Sequence, residues 1–143
     1  RIEEAMRPFS EAEERLMTIP GVGRQAAEVI VAEIGADMGR CATAGPLASW
    51  AGLCPGTNKS ADKRKSGRTT KRSPWLRPTF VQVAWAASHT TVPIFGATYQ
   101  KLARRLGKKK ALVAVARKLL VLAYLLLKVQ VDYQEPLQIQ GAA

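Results

Sequence analysis

The sequence has few acidic residues, and they are unevenly placed. It contains 11 Asp or Glu against 22 Lys or Arg, which gives a formal net charge of +11. Eight of the acids lie in residues 1–37, whereas residues 38–143 hold three acids and eighteen bases. A surface so poor in acids predicts an anionic partner, with nucleic acid ahead of a membrane surface, and phosphate binding would be strongly salt-dependent.

Metal-binding residues are scarce as well. Cys41 and Cys54 lie 13 residues apart without a CxxC pair, and the single histidine, His89, is remote from both. This spacing argues against a structural zinc site, so we interpret both thiols as buried or incidental. The three acids beyond residue 37 are scattered and cannot build a two-metal site, which needs several converging carboxylates. We therefore expect no cofactor in this chain.

Long hydrophobic runs are also missing. The most apolar stretch, residues 119–127, is nine residues long and is bracketed by Arg117, Lys118 and Lys128. A membrane span needs about 20 apolar residues, so this stretch predicts a buried helix. The chain opens with a charged segment and without a methionine; we expect no signal peptide there, and Arg1 is not expected to be the natural start.

No stretch has a persuasive strand pattern, and the prediction is a compact all-α domain. Ser10 and Glu13 form a capping-box pattern that predicts a helix beginning after Ser10 and ending by Ile19. Ser73 is expected to cap a later helix. Apolar periodicity and glycine stops then predict helices at 23–34, 46–52, 75–88, 92–106 and 108–131. Glu28 and Glu33 are expected to be solvated, and the residues after 133 to form a frayed tail.

The stretch IPGVG, residues 19–23, joins two short amphipathic helices. It resembles the helix-hairpin-helix element of DNA repair and recombination proteins. Two glycines permit a tight turn, and the N–H groups of Val22, Gly23 and Arg24 are then expected to face outward and hold a phosphate. We predict that Gly21, Val22, Gly23 and Arg24 bind nucleic acid; the alternative is a plain packing turn between helices.

Residues 53–73 predict a long basic loop that contains Ser60. A serine hydroxyl needs a base, a metal or nearby positive charge to act as a nucleophile, and no base lies close in sequence. Taken alone, these residues therefore predict a phosphate-facing segment with an ordinary loop serine. The predicted nucleic-acid-binding residues of this loop are Lys59, Lys63, Arg64, Lys65, Arg68, Lys71 and Arg72.

A second cationic cluster is formed by Arg104 and Arg105 with Lys108, Lys109 and Lys110, and the three lysines open the longest predicted helix. It is predicted to follow a phosphate backbone or a guide RNA; the alternative is a charged helix end with solvated lysines. Trp50, Trp75 and Trp85 lie at helical spacing and are expected to belong to the core, although Trp75 borders the basic loop and could stack on a base. His89 is expected to be a cap or surface residue.

Three blocks together carry a resemblance to a known family. The hairpin TIPGVG, the block from LASWAGLCPG through SADK to WLRPTFVQVAWAAS, and the block YQKLARRLGKKKALVAVARKLL follow one another in order. They resemble the C-terminal domain of the insertion-sequence transposases of the IS110, IS116 and IS902 class, over roughly residues 15–133. The chain departs from the family pattern at Asp62, where a glycine is usual, and at Arg72 and Ser73, where a Gly-Asn turn is common.

The resemblance implies an RNA-guided recombinase. Its N-terminal RNase-H-like domain would hold Mg²⁺ through four acids, and its C-terminal domain would supply a serine nucleophile, which falls on Ser60. Residues 1–15 would then be a linker or helix leading from the N-terminal part, 16–133 the C-terminal domain, and 134–143 a tail. The expected partners are DNA, a structured guide RNA and further copies of the full-length protein, with no membrane.

The function implied is strand cleavage and exchange during transposition, in a prokaryotic cytoplasm close to the nucleoid. By itself this chain is expected to be inactive, because the metal-binding acids would lie elsewhere. Two alternatives remain open: a non-catalytic helix-hairpin-helix module that binds nucleic acid, and a structural domain that binds RNA within a larger particle.

Overall fold

A computed structural model describes residues 2–40, 43–53, 73–89 and 93–133. These ranges are helical and contain no strand, which confirms the predicted all-α class. The helices are α1 (Ile2–Leu16), α2 (Arg24–Ile34), α3 (Gly45–Ala51), α4 (Leu76–Ser88), α5 (Pro93–Leu106) and α6 (Lys108–Val129), with a 3₁₀ turn at Met38–Arg40.

The predicted start of the first helix is wrong. Helix α1 begins at Ile2, and Ser10 lies inside it with an exposed side chain. The reason is that an apolar stripe at helical spacing runs through Ile2, Met6 and Phe9 and continues into the buried Leu16. The Glu, Ala, Met and Arg residues around the stripe have high helix propensity, and together they outweigh the capping preference of one serine.

The other helix boundaries follow the local signals closely. Helix α2 ends at Gly35, whose φ of +82° is left-handed and whose N–H donates to the Val31 carbonyl at 2.8 Å. Ser73 caps α4 as predicted: its Oγ accepts hydrogen bonds from the N–H groups of Trp75 and Leu76, both at 3.2 Å. Capping side chains satisfy amides that the first helical turn leaves without partners.

Helix α6 forms the centre of the core. It packs against α4 and α5, and ten of its residues are buried, including Leu119, Leu120 and Leu126. The leucine-rich stretch is therefore a buried helix, as predicted. None of the described helices is both long and apolar enough to cross a membrane.

Two regions of the domain lie at opposite ends of helix α4. The turn before α2 packs on the last turns of α4, whereas Glu33, in the last turn of α2, bonds to Ser73 just before α4 begins. Helices α2 and α4 therefore run antiparallel. We call the side of the 17–23 turn the hairpin end, and the side of Leu53 and Ser73 the loop end. A rise of 1.5 Å per residue places the two ends about 16 Å apart along α4.

Candidate nucleic-acid interface

The turn at the hairpin end is held against α4 by a close backbone approach. Gly21 has φ +92°, and a Cβ atom at this position would lie 2.8 Å from the Val83 carbonyl oxygen and 2.9 Å from the Ala87 nitrogen. Only glycine fits such a contact without strain. Ile19 and Val22 on either side are buried. Gly21 is thus a structural residue of the turn, and it is half-buried.

The three backbone N–H groups that were predicted to bind phosphate differ in whether they are already hydrogen-bonded. The N–H of Val22 donates to the Ile19 carbonyl at 3.1 Å, so the prediction that this group faces outward is wrong. This hydrogen bond closes a tight turn of residues 19–22, so the Val22 N–H is used within the turn and is not available to a ligand. Gly23 and Arg24 are exposed, and α2 has no capping side chain and no acid in its first turn. Within the described ranges, the N–H groups of Gly23 and Arg24 have no hydrogen-bond acceptor.

At the loop end, the chain leaves and re-enters the fold through a network of hydrogen bonds. Leu53 and Ser73 are both buried. The Ser73 N–H donates to the Trp50 carbonyl at 2.9 Å, and Arg77 Nη1 donates to the Gly52 carbonyl at 2.7 Å. These bonds hold the C-terminus of α3 beside the N-terminus of α4.

Glu33 completes this network, and the sequence did not reveal its role. The Ser73 hydroxyl donates a hydrogen bond to Glu33 Oε1, across 40 positions of sequence. The expectation that Glu33 is a solvated helix position is wrong, because its carboxylate is the acceptor for a buried serine. No local signal could have identified the pair, since a Glu near a helix end is usually solvent-exposed.

Eight predicted site residues lie outside the described residues. Residues 54–72 are not described, and only their two flanking positions, Leu53 and Ser73, are placed. The predictions for these eight residues therefore stand as predictions. They are Lys59, Ser60, Lys63, Arg64, Lys65, Arg68, Lys71 and Arg72.

Lys108, Lys109 and Lys110 lie at the loop end. They form the exposed first turn of α6, which follows Gly107 with its φ of +92°. Lys109 and Arg77 line one shallow groove of about 330 Å³ whose apolar walls are Pro78, Val81, Leu112 and Val113. The structure thus brings the lysine cluster to the base of segment 54–72, and it places Gly23 and Arg24 at the opposite end.

The two arginines of the predicted cationic cluster also lie at the loop end. Arg104 and Arg105 occupy the last turn of α5, immediately before the lysines. Residues 73–131 carry ten Lys or Arg and no Asp or Glu. In the part of the chain that the structure describes, an ion pair joins Arg15 Nε to Asp132 Oδ1 at 3.7 Å. Arg104, Arg105 and the three lysines at the loop end have no ion-pair partner among these described residues.

The prediction that the three tryptophans belong to the core is wrong. Trp50, Trp75 and Trp85 are 37%, 61% and 57% exposed. Helix α4 buries Phe80, Val83, Ala84 and Ala87, and Trp85 lies on its other face. Helical spacing indicates a shared face, but it does not tell which face the neighbouring helices cover. His89 is exposed, as expected.

No metal site is evident in the described ranges. No group of three or more His, Cys, Asp or Glu side chains among the described residues could hold an ion. The resemblance implies Mg²⁺ in an N-terminal domain and not at these residues, so no chemical step is assigned to a metal here.

An all-helical domain with ten cations and no acid over its last three helices is typical of proteins that engage polyanions. A family model described as the Transposase IS116/IS110/IS902 family matches residues 13–100, which is more than half of the chain. The chain belongs to this family. Comparison with curated proteins and with solved structures found no match.

Family membership supports a transposase or recombinase role and implies interaction with DNA. The matched range contains the hairpin-end turn, segment 54–72 and helix α4. Lys108, Lys109 and Lys110 lie beyond it.

Proposed function

We propose that this chain is the domain of a transposase that grips DNA at its loop end and supplies Ser60 as the nucleophile. The observation that carries the proposal is the family match over residues 13–100, which includes Ser60. The hydrogen bonds of Ser73 and Arg77 support it, because they anchor both ends of the segment that contains Ser60. A nucleophile must be held within a fraction of an ångström of its target, which requires a rigid base.

The chemistry proposed is a transesterification. Ser60 Oγ attacks a DNA phosphorus, a P–Oγ bond forms, and the bond from phosphorus to one strand oxygen breaks. The serine proton passes to that departing oxygen, which leaves as a hydroxyl. A hydroxyl of a second strand then attacks the same phosphorus, the P–Oγ bond breaks, and the proton of that hydroxyl returns to Ser60 Oγ. Each step exchanges one phosphodiester for another, so no outside energy source is needed. The Lys and Arg residues of segment 54–72 would stabilise the charge that develops on the phosphoryl oxygens.

The metal-binding acids are proposed to lie elsewhere in the full-length protein, which would act as a homo-oligomer. When bound there, Mg²⁺ would add positive charge at the phosphate. A guide RNA is proposed as a second polyanion, and Lys108, Lys109 and Lys110 are candidates to contact it or the DNA.

The two ends of the domain are proposed to contact phosphates of one duplex at two separate points. Gly23 and Arg24 offer backbone N–H groups and a guanidinium at the hairpin end, about 16 Å along α4 from the loop end. With a rise of 3.4 Å per base pair, that separation corresponds to about five base pairs of duplex. This is close to half a helical turn, over which one strand passes to the opposite side of the duplex. The two ends are therefore proposed to contact phosphates of the two strands that border one groove.

The test of the nucleophile uses the full-length transposase with Ser60→Ala and, as a matched control, Ser66→Ala in the same basic segment. Ser60→Ala should abolish recombination and the protein–DNA adduct that a denaturing gel resolves, and Ser66→Ala should retain both. Both variants keep the basic charge, so DNA binding should be unchanged. Recombination at the normal level with Ser60→Ala would refute the nucleophile.

The acid-free charge of residues 73–131 equally suits a second candidate, a binding module without catalysis. The same pair of variants separates the two. If Ser60→Ala retains recombination while charge removal at Lys108, Lys109 and Lys110 abolishes it, the binding module is the correct assignment.

A further inference from the structure

We propose that Trp85, His89 and Tyr99 form a stacking site for an unpaired base of single-stranded nucleic acid. We call these three residues the aromatic platform. This inference rests on the proposed function, since it assumes that the chain binds nucleic acid, and it adds a base-contacting surface to the phosphate-contacting ones. No part of it depends on segment 54–72 or on Ser60.

The geometry of the aromatic platform is set by two helices. The rings of Trp85 and His89 stack with centroids 4.4 Å apart and an interplanar angle of 26°. Tyr99, from α5, lies 6.2 Å from the His89 ring at an angle of 45°. Residues i and i+4 of a helix lie one above the other, which brings the first two rings together. The platform is thus built on the C-terminal end of α4, where His89 is the residue after the helix, and on α5, and the packing of the two helices holds it in place.

A hydrogen bond fixes the middle ring. His89 Nδ1 lies 2.7 Å from the Trp85 carbonyl oxygen at the end of α4, so Nδ1 carries the proton and donates. The imidazole covers one face of the indole. Because Trp85 is still 57% exposed, much of the indole remains open to solvent. A flat ligand could add a further layer to the existing stack without moving either helix.

Charge decides which flat ligand fits. The three helices α4 to α6 carry ten cations and no acid, most of them toward the loop end, and Lys101 is an exposed cation of α5 two positions after Tyr99. A nucleic acid strand, with its anionic phosphates and aromatic bases, complements such helices. Proteins that bind single strands combine a cationic surface with aromatic side chains on which bases stack. Paired bases in a duplex keep their faces hidden. The expected ligand is therefore a single strand, and the ring chemistry is shared by DNA and RNA.

The test measures binding of labelled 20-mers to this chain by fluorescence anisotropy. Four probes are used: oligo-dT, oligo-rU, an abasic deoxyribose-phosphate strand, and a DNA duplex. The wild-type chain should bind oligo-dT or oligo-rU about tenfold more tightly than the abasic strand, as one stacked base warrants. Trp85→Ala should remove that preference and leave abasic-strand and duplex binding unchanged.

Two matched variants control for indirect effects. Gln82→Ala changes another exposed residue of α4 and should keep the preference for bases. Trp85→Phe retains an aromatic face and should lose less than Trp85→Ala. In a chain with Trp50→Phe and Trp75→Phe, the remaining Trp85 fluorescence should be quenched by oligo-dT and not by the abasic strand.

The outcomes separate this inference from the proposed function. If the wild-type chain binds all four probes equally, the aromatic platform is not a base site, while the proposed DNA binding stands. If no probe binds, both fail. If Trp85→Ala lowers the mass of an oligomer in sedimentation and leaves base preference intact, the face is an interface between copies, and the stacking inference is overturned. A preference for oligo-rU over oligo-dT would identify RNA as the source of the base.

Discussion

Glu33 and Ser73, 40 residues apart, are joined by a hydrogen bond that ties the end of α2 to the start of α4. Ser73 is buried and also accepts from two amides of α4, so its hydroxyl serves three partners. Such a group is costly to remove, because each partner loses its hydrogen bond at once. The pair thereby fixes Ser73, the first described residue after segment 54–72, to α2.

Replacement of Ser73 by alanine should destabilise the domain. Loss of the α4 cap and of a hydrogen bond to a carboxylate should lower the free energy of unfolding by about 2 kcal/mol. Urea denaturation followed by circular dichroism measures this. Ser10→Ala, in the exposed middle of α1, is the control and should change stability by less than about 0.5 kcal/mol. Equal effects of the two variants would contradict the assigned role of Ser73.

The two glycines of the hairpin-end turn should differ in their tolerance of a side chain. Gly21→Ala places a Cβ against the backbone of α4 at a positive φ, which should cost roughly 2–4 kcal/mol of stability. Gly23→Ala meets no atom within 4 Å and should cost less than about 1 kcal/mol. Thermal melting of both variants is the measurement. A stable Gly21→Ala domain would show that the turn does not pack on α4 as described.

Lys109 should contribute to the salt dependence of DNA binding. If Lys109 contacts a phosphate, Lys109→Gln should reduce the slope of log K against log salt by about one unit. Arg7→Gln removes one charge from the acid-rich helix α1 and should leave the slope unchanged. Titrations of a duplex between low and moderate salt give both slopes. Identical slopes for the wild-type chain and Lys109→Gln would remove Lys109 from the interface.

The core position Leu120 should be far more sensitive to truncation than Leu106. Leu120 is buried in α6, and Leu120→Ala should cost about 2–5 kcal/mol through lost contacts and a residual cavity. Leu106 is 37% exposed at the end of α5, and Leu106→Ala should cost less than about 1.5 kcal/mol. Denaturant unfolding of the two variants compares them directly.

Local signals predicted most of the fold. The stops at Gly35 and Gly107 and the cap at Ser73 act within a few residues, so the sequence shows them directly. The start of α1 was missed because a capping-box pattern at Ser10 competed with a longer apolar stripe, and the stripe determined the helix. Boundaries with two competing local signals are the hardest to predict.

The candidate site was only partly predictable. Clusters of charge such as Lys108, Lys109 and Lys110 are visible in the sequence, and the family resemblance is what singled out Ser60 within its segment. The aromatic platform was missed because Trp85 and Tyr99 belong to different helices. Their proximity depends on how α4 and α5 pack.

By itself the sequence determined that this protein is a helical domain with a cationic C-terminal part and an acidic first helix, because periodicity, glycine stops and charge are local properties. Only the tertiary structure decided that the hairpin turn and the lysine cluster lie at opposite ends of α4, that Glu33 binds Ser73, and that Trp85 faces solvent. The physical reason is that these relations depend on the antiparallel packing of α2 on α4 and on which face each helix buries.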